Sequence, residues 1–191
     1  MSDALWTATF HVADVEETQA LAETIGATLN AGDLLILSGG LGAGKTTFTQ
    51  GLGRGLGVRE GIISPTFVLA RRHPNLPDGP RPGGPDLVHV DAYRLGSAEE
   101  LEDIDLEETL DTSVTVVEWG RDRAEQLSAS RLEIDLERAT GQEAGEEIIL
   151  DFEDEDEPRT LTVTAYGNRW AEHPAWARAT DASATPQEGN Q

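Results

Sequence analysis

Apolar and polar residues alternate along WTATFHV (Trp6–Val12), the period of a half-buried strand. Asp14, with Glu17 three positions on, then forms a capping-box pattern. Leu21, Ala22, Ile25 and Leu29 share one helical face, which predicts a helix from Val15 to Leu29 that ends at Ala31-Gly32. DLLILS (Asp33–Ser38) is a continuous apolar run, as expected of a strand buried on both faces of a parallel sheet. After a glycine-rich turn, a helix of about a dozen residues runs through Leu56.

Pro65 disfavours a helix in SPTFVLARR (Ser64–Arg72), and its TFVLA portion predicts a strand. The segment 73–86, with five prolines and three glycines, predicts a loop that closes a hairpin with a strand from Leu87 to Asp91. SAEELEDIDLEETL reads as a helix capped by Ser97 with Glu100 at the third position. Its acids Glu99, Glu100, Glu102 and Asp103 form a solvated face. SVTVVEW (Ser113–Trp119) predicts a buried strand, followed by a short helix near Asp122–Leu127. RLEIDLER, EEIILDF and TLTVTAY alternate like terminal strands, and FEDEDEP reads as an exposed acidic turn. One domain over 1–178 is expected, carrying a proline- and glycine-rich loop at 73–86 and an acidic insert at 141–158. Residues 179–191 have the composition of a disordered tail.

The turn after DLLILS carries the chemistry. Gly39, four residues, then Gly44-Lys45-Thr46 satisfies G-x-x-x-x-G-K-[ST], between a buried strand and a helix as this phosphate loop requires. Glycines let backbone N–H groups approach phosphates, and the positive end of the helix dipole faces the same anion. Lys45 supplies a compact charge for the β- and γ-phosphates, and the Thr46 hydroxyl is a ligand for Mg²⁺. The expected nucleotide-binding set is Gly40, Leu41, Gly42, Ala43, Gly44, Lys45, Thr46 and Thr47. The motif with the element pattern predicts an α/β fold, a P-loop NTPase-like three-layer sandwich. Its central sheet is mainly parallel, with flanking antiparallel strands.

Such a site needs a carboxylate at the end of another strand. Asp91 ends LVHVD and Glu118 ends VTVVE, each an apolar run stopping in an acid. Ser64-Pro65-Thr66 lies about twenty residues after the loop, where hydrolases of this kind keep a γ-phosphate switch; the same tripeptide is also an ordinary strand-entry turn. Arg94 has two readings, a phosphate contact or a partner of Glu99 or Glu100.

Composition narrows the classes. Lys45 is the sole lysine among fourteen basic residues. A bias against lysine explains its absence elsewhere but not this exception, which falls where a planar guanidinium is too broad. The absence of cysteine excludes disulfides, thiol catalysis and thiolate-bound zinc, and the lack of a paired-histidine motif disfavours a structural zinc site. A net charge of −22 disfavours direct grip on a nucleic-acid backbone, DNA included. The sequence has neither a signal segment nor a membrane span, so a soluble cytoplasmic protein is expected.

GGLGAGKTTFTQGL, SPTF, HVDAYRL, ELEDIDLEE and VVEW, in this order and spacing, resemble the TsaE family of bacterial tRNA threonylcarbamoyladenosine biosynthesis. The likeness covers about Asp14 to Leu136. It implies a single ATP- and Mg²⁺-binding domain that hydrolyses ATP weakly alone. It also implies partners, TsaD- and TsaB-like proteins, which transfer threonylcarbamoyl to tRNA adenosine, so that tRNA is met indirectly. The resemblance makes Thr46 and Glu118 the Mg²⁺ ligands, sets Asp91 near the metal or the attacking water, and gives Thr66 to the switch. Departures are Gly40 where the family usually has an acid, Arg71-Arg72-His73 where it often has tyrosine, and longer proline-rich and acidic stretches. Two other classes share the loop: a small-molecule kinase, which would need an arginine-bearing lid, and a nucleotide-gated binding module without turnover. After Trp119 the chain offers Arg121, Arg123 and Arg131 but no long insert.

Overall fold

The computed structural model describes residues 3–65, 67–102, 104, 106–139 and 157–178. Among these residues seven strands form one sheet: β1 (Trp6–Val12), β2 (Leu34–Ser38), β3 (Ala70–His73), β4 (Asp86–Asp91), β5 (Ser113–Glu118), β6 (Arg131–Arg138) and β7 (Arg159–Tyr166). Their order is β1-β7-β6-β2-β5-β4-β3. The four central strands run parallel, β6 with β2, β2 with β5 and β5 with β4. The remaining pairings, β1–β7, β6–β7 and β3–β4, are antiparallel. This is the mainly parallel sheet with antiparallel flanks expected from the element pattern.

Alternation along the central strands divides the core between two faces. Leu35, Leu37, Val114 and Val116 point into the larger cluster, packed under α1 (Val15–Gly26) and α2 (Lys45–Leu56). Leu34, Ile36, Val88, Val90 and Val117 point the other way, towards Leu101 and Leu106. Those two leucines belong to the segment holding α3 (Ala98–Glu102) and α4 (Glu107–Leu110). Helix–sheet–helix layering follows.

The cap of α1 forms as predicted: Asp14 Oδ1 accepts from Glu17 N at 2.8 Å, and Glu17 Oε2 accepts from Ala13 N at 2.8 Å. The helix stops at Gly26, three residues before the predicted end, and Leu29 N closes a turn onto Gly26 O. The hairpin around 73–86 is present, but TFVLA is not a strand throughout. Val68 N and Leu69 N both bond to Pro65 O, Leu69 has φ 63°, and β3 starts only at Ala70. Phe67 is 85% exposed and Val68 more than half exposed, so neither gains from burial in a sheet, and turn chemistry overrides β-propensity. The single helix predicted after Ser97 divides into α3 and α4, although Ser97 Oγ does accept from Glu100 N. The helix near Asp122–Leu127 is reduced to a 3₁₀ turn over Glu125–Leu127. A further short helix, α5 (Ala175–Arg178), sets Trp176 beside Trp6 and Phe10. The strand expected at 146–152, most of the acidic insert and the tail at 179–191 lie outside the described residues.

Candidate nucleotide site

β2 ends at Ser38 and the chain turns sharply into α2 through the glycine-rich loop. Gly39 and Gly44 are required by their backbones, with φ of 147° and 101°. A Cβ on Gly39 would also stand 2.5 Å from Leu136 O. Gly44 is the N-cap of α2 and provides no side-chain cap, so the first-turn amides of this twelve-residue helix are left for an anion. A cavity of about 430 Å³ opens above the loop. Leu41, Gly42, Gly44, Lys45, Thr46 and Thr47 line it, together with Asp91 and Glu118. Two of the predicted loop residues stand apart from the lining. Gly40 is exposed, and Ala43 is buried, with its N–H donating to Gly40 O at 3.1 Å and its methyl in the core.

Lys45 is 5% exposed, and its Nζ donates to the carbonyls of Gly39 and Gly40, both at 2.9 Å. The ammonium also stands 3.8 Å from the centroid of the Trp119 ring. Burial holds the lysine below its ordinary pKa, opposed by the Glu118 and then the Asp91 carboxylate. A positive charge held by two loop carbonyls and a ring face, beside open space, is arranged to receive an anion.

The two strand-end acids are register partners across β4 and β5, side by side at the carboxyl edge of the parallel strands. Glu118 Oε1 accepts from Thr46 Oγ1 at 3.0 Å, linking the loop to β5. The same oxygen lies 2.7 Å from Nε2 of the fully buried His89. A carboxylate oxygen only accepts, so the proton sits on Nε2. No hydrogen bond reaches Oε2 of Glu118 among the described residues. Asp91 accepts from Ser64 Oγ at 3.0 Å and from Tyr93 N at 2.9 Å. The segment predicted as a switch is thereby tied to Asp91 through Ser64, while Thr66 lies outside the described residues. Arg94 lies over Phe67, its Cζ 4.8 Å from the ring centroid.

Sequence reasoning missed His89, Tyr93, Trp119 and Arg159 as site residues. His89 was signalled by the alternation in HVD, which sets positions 89 and 91 on one face of β4. Trp119 reaches the cavity because it has φ 58°, a turn at the end of β5 that no local motif announces. Its ring packs on Tyr93 at 5.0 Å.

The groups fit a magnesium nucleotide. Among the described residues no cluster of three or more His, Asp or Glu could hold a metal. Mg²⁺ typically binds one or two carboxylates with phosphates and water completing its shell, and in phosphate-loop sites a loop hydroxyl joins them, as the adjacent Thr46 and Glu118 oxygens could. The three arginines after Trp119 are committed elsewhere. Arg121 Nη2 donates to both carboxylate oxygens of Asp135 at 2.6 Å, Arg123 Nη1 donates to the carbonyls of Ala92 and Trp119, and Arg131 pairs with Glu133. A kinase lid is not built from them.

Comparison with known proteins agrees with this geometry. A family model described as threonylcarbamoyl adenosine biosynthesis protein TsaE matches residues 12–147. The tRNA threonylcarbamoyladenosine biosynthesis protein TsaE of Streptomyces coelicolor is 52% identical over 152 residues, 79% of this chain and 92% of that one. Its namesake in Bacillus subtilis is 39% identical over 156 residues, 81% and 84% of the two chains. That in Mycobacterium tuberculosis H37Rv is 47% identical over 132 residues, 66% and 76%. The crystal structure of Bacillus subtilis YdiB superposes with a TM-score of 0.61 at 34% identity, covering 89% of this chain and 90% of that one. The fold of this chain thus has a P-loop NTPase-like counterpart among solved structures. This chain therefore belongs to the TsaE family of threonylcarbamoyl adenosine biosynthesis proteins.

Proposed function

We propose that this chain is the Mg²⁺-dependent ATP-binding and hydrolysing component of the tRNA threonylcarbamoyladenosine machinery, working in the cytoplasm with TsaD- and TsaB-like proteins. The observation that carries the reading is the hydrogen bond from Thr46 to Glu118 beside Lys45, which joins the phosphate loop to a strand-end acid in one cavity. Thr46 and the open oxygen of Glu118 would hold Mg²⁺, and the loop amides that face the cavity, from Leu41 and Gly42 and from Gly44 to Thr47, would hold the phosphates. Bound Mg²⁺ supplies charge neutralisation on the phosphates, and ATP supplies the bond that is hydrolysed. Lys45 exchanges its two carbonyl partners for phosphate oxygens, which restores in the site the solvation that burial removed. Asp91 acts beside the metal or the attacking water, and Ser64 couples it to the segment that carries Thr66.

A chain of net charge −22 repels a phosphate backbone, which favours meeting tRNA through partners. No helix among the described residues is long and apolar enough to cross a membrane. Incubating the purified protein with ATP alone, then with TsaD- and TsaB-like proteins, tests the reading: hydrolysis should rise when the partners are added. Flat ATPase with phosphate appearing on a metabolite would establish the kinase alternative, and partner binding gated by ATP without turnover would establish the module.

A further inference from the structure

The flank of the cavity opposite the carboxylates carries two guanidinium groups that no motif marks. Arg138 ends β6 and Arg159 opens β7, and the two are direct cross-strand partners. Like charges set opposite each other oppose strand pairing, and arginine is rarely buried. Arg159 is nevertheless 5% exposed and lines the cavity. Both side chains back the phosphate loop. A Cβ on Gly44 would stand 3.3 Å from Arg159 Nε, and one on Gly42 would stand 3.3 Å from Arg138 Nη2. Glu157 braces the pair, its carboxylate 3.1 Å from Arg138 Nε and its carbonyl accepting from Arg159 Nη1 at 3.0 Å.

Sheet order decides which end of a nucleotide these groups meet. β2 feeds the loop and lies between β5 and β6. Glu118 and Asp91 stand on the β5–β4 side, and Arg138 and Arg159 on the β6–β7 side. With the metal and terminal phosphate beside Glu118 and Lys45, a nucleotide lying along the loop extends its α-phosphate and nucleoside towards the arginines. We infer that Arg159 is a nucleotide-binding residue that contacts the ribose end of the nucleotide, beyond the phosphates, held in place by its Glu157 contact and by Arg138. The inference rests on reading the cavity as a nucleotide site.

Calorimetric titration of the full chain with ATP, ADP and inorganic tripolyphosphate tests it, with circular dichroism as the folding control. Arg159→Gln should lower ATP and ADP affinity together, each by about tenfold, the size of one charge-assisted contact. Tripolyphosphate, which has no nucleoside, should change by less than about threefold, a smaller difference than one such contact. A fall for ATP with ADP unchanged would place Arg159 at the γ-phosphate and overturn the inference. Equal falls for all three ligands, or no fall, would also overturn it. If Arg159→Gln does not fold, Arg159→Lys carries the same test, because it keeps the charge and stem but loses the fork. A smaller joint fall for ATP and ADP is then expected, and an unchanged affinity would contradict it. A wild-type chain that binds none of the three overturns the nucleotide reading itself, whereas wild-type binding with an unaffected Arg159 variant overturns this inference alone.

Discussion

Thr46 and Glu118, 72 residues apart in sequence, meet through a 3.0 Å hydrogen bond. The contact brings the first turn of α2 to the end of β5, and it rests on β2 and β5 being parallel neighbours in register. His89 anchors the far side of the same carboxylate oxygen at 2.7 Å. Glu118 is thus fixed from two elements while its second oxygen stays available.

Glu118→Gln keeps the shape of the side chain and removes its charge. ATP affinity with Mg²⁺ should fall by about tenfold or more, the scale of losing one charged partner. Affinity in excess chelator should change by less than about threefold, below the scale of one charged contact. Titrations with and without Mg²⁺ measure both, and equal losses would remove Glu118 from the metal's surroundings.

Gly55→Ala should destabilise the protein, although helix propensity alone favours alanine by about 1 kcal/mol. Gly55 lies within α2, and a Cβ there would stand 2.1 Å from Glu23 O of α1. Gly51 is similarly close, 2.4 Å from Gln19 O. The two helices pack backbone to backbone, and separating them costs about 1–3 kcal/mol. Thermal melting reads the sign directly, and a raised midpoint would contradict this packing.

His73 should make stability fall as pH drops below about 6.5. Its ring is buried, neither nitrogen has a hydrogen-bond partner among the described residues, and its pKa is lowered to about 4. Burial is the main cause, followed by His89, Arg71 and Arg59. The unfolded chain takes up this proton near pH 6.5 and the folded chain only near 4. The stabilisation is therefore complete above 6.5 and is lost progressively between these values. The loss at pH 5 is on the order of 1–2 kcal/mol. Denaturant midpoints at pH 7 and pH 5 should converge in His73→Phe, and an unchanged pH dependence would contradict the assignment.

Much of this site could be read from sequence because it is local. The apolar run of β2, the loop after it and the acids closing β4 and β5 each lie within one element, so spacing alone places them. Arg159 could not be read this way. Its approach to Gly44 depends on β7 pairing back onto β6, a register set by packing between distant segments. Leu69 and Trp119 were hidden for a different reason. Each has a positive φ that its residue type disfavours, so propensity pointed away from the turn observed.

The central claim is that the sole lysine of the chain anchors a triphosphate. Calorimetric titration of ATP with Mg²⁺ into wild-type protein and a folded Lys45→Ala variant tests it most directly. The account predicts saturable binding to wild type and a loss of about a hundredfold or more in the variant, two charged contacts on the scale of about 1.5–3 kcal/mol each. Equal affinity in the two proteins would contradict it.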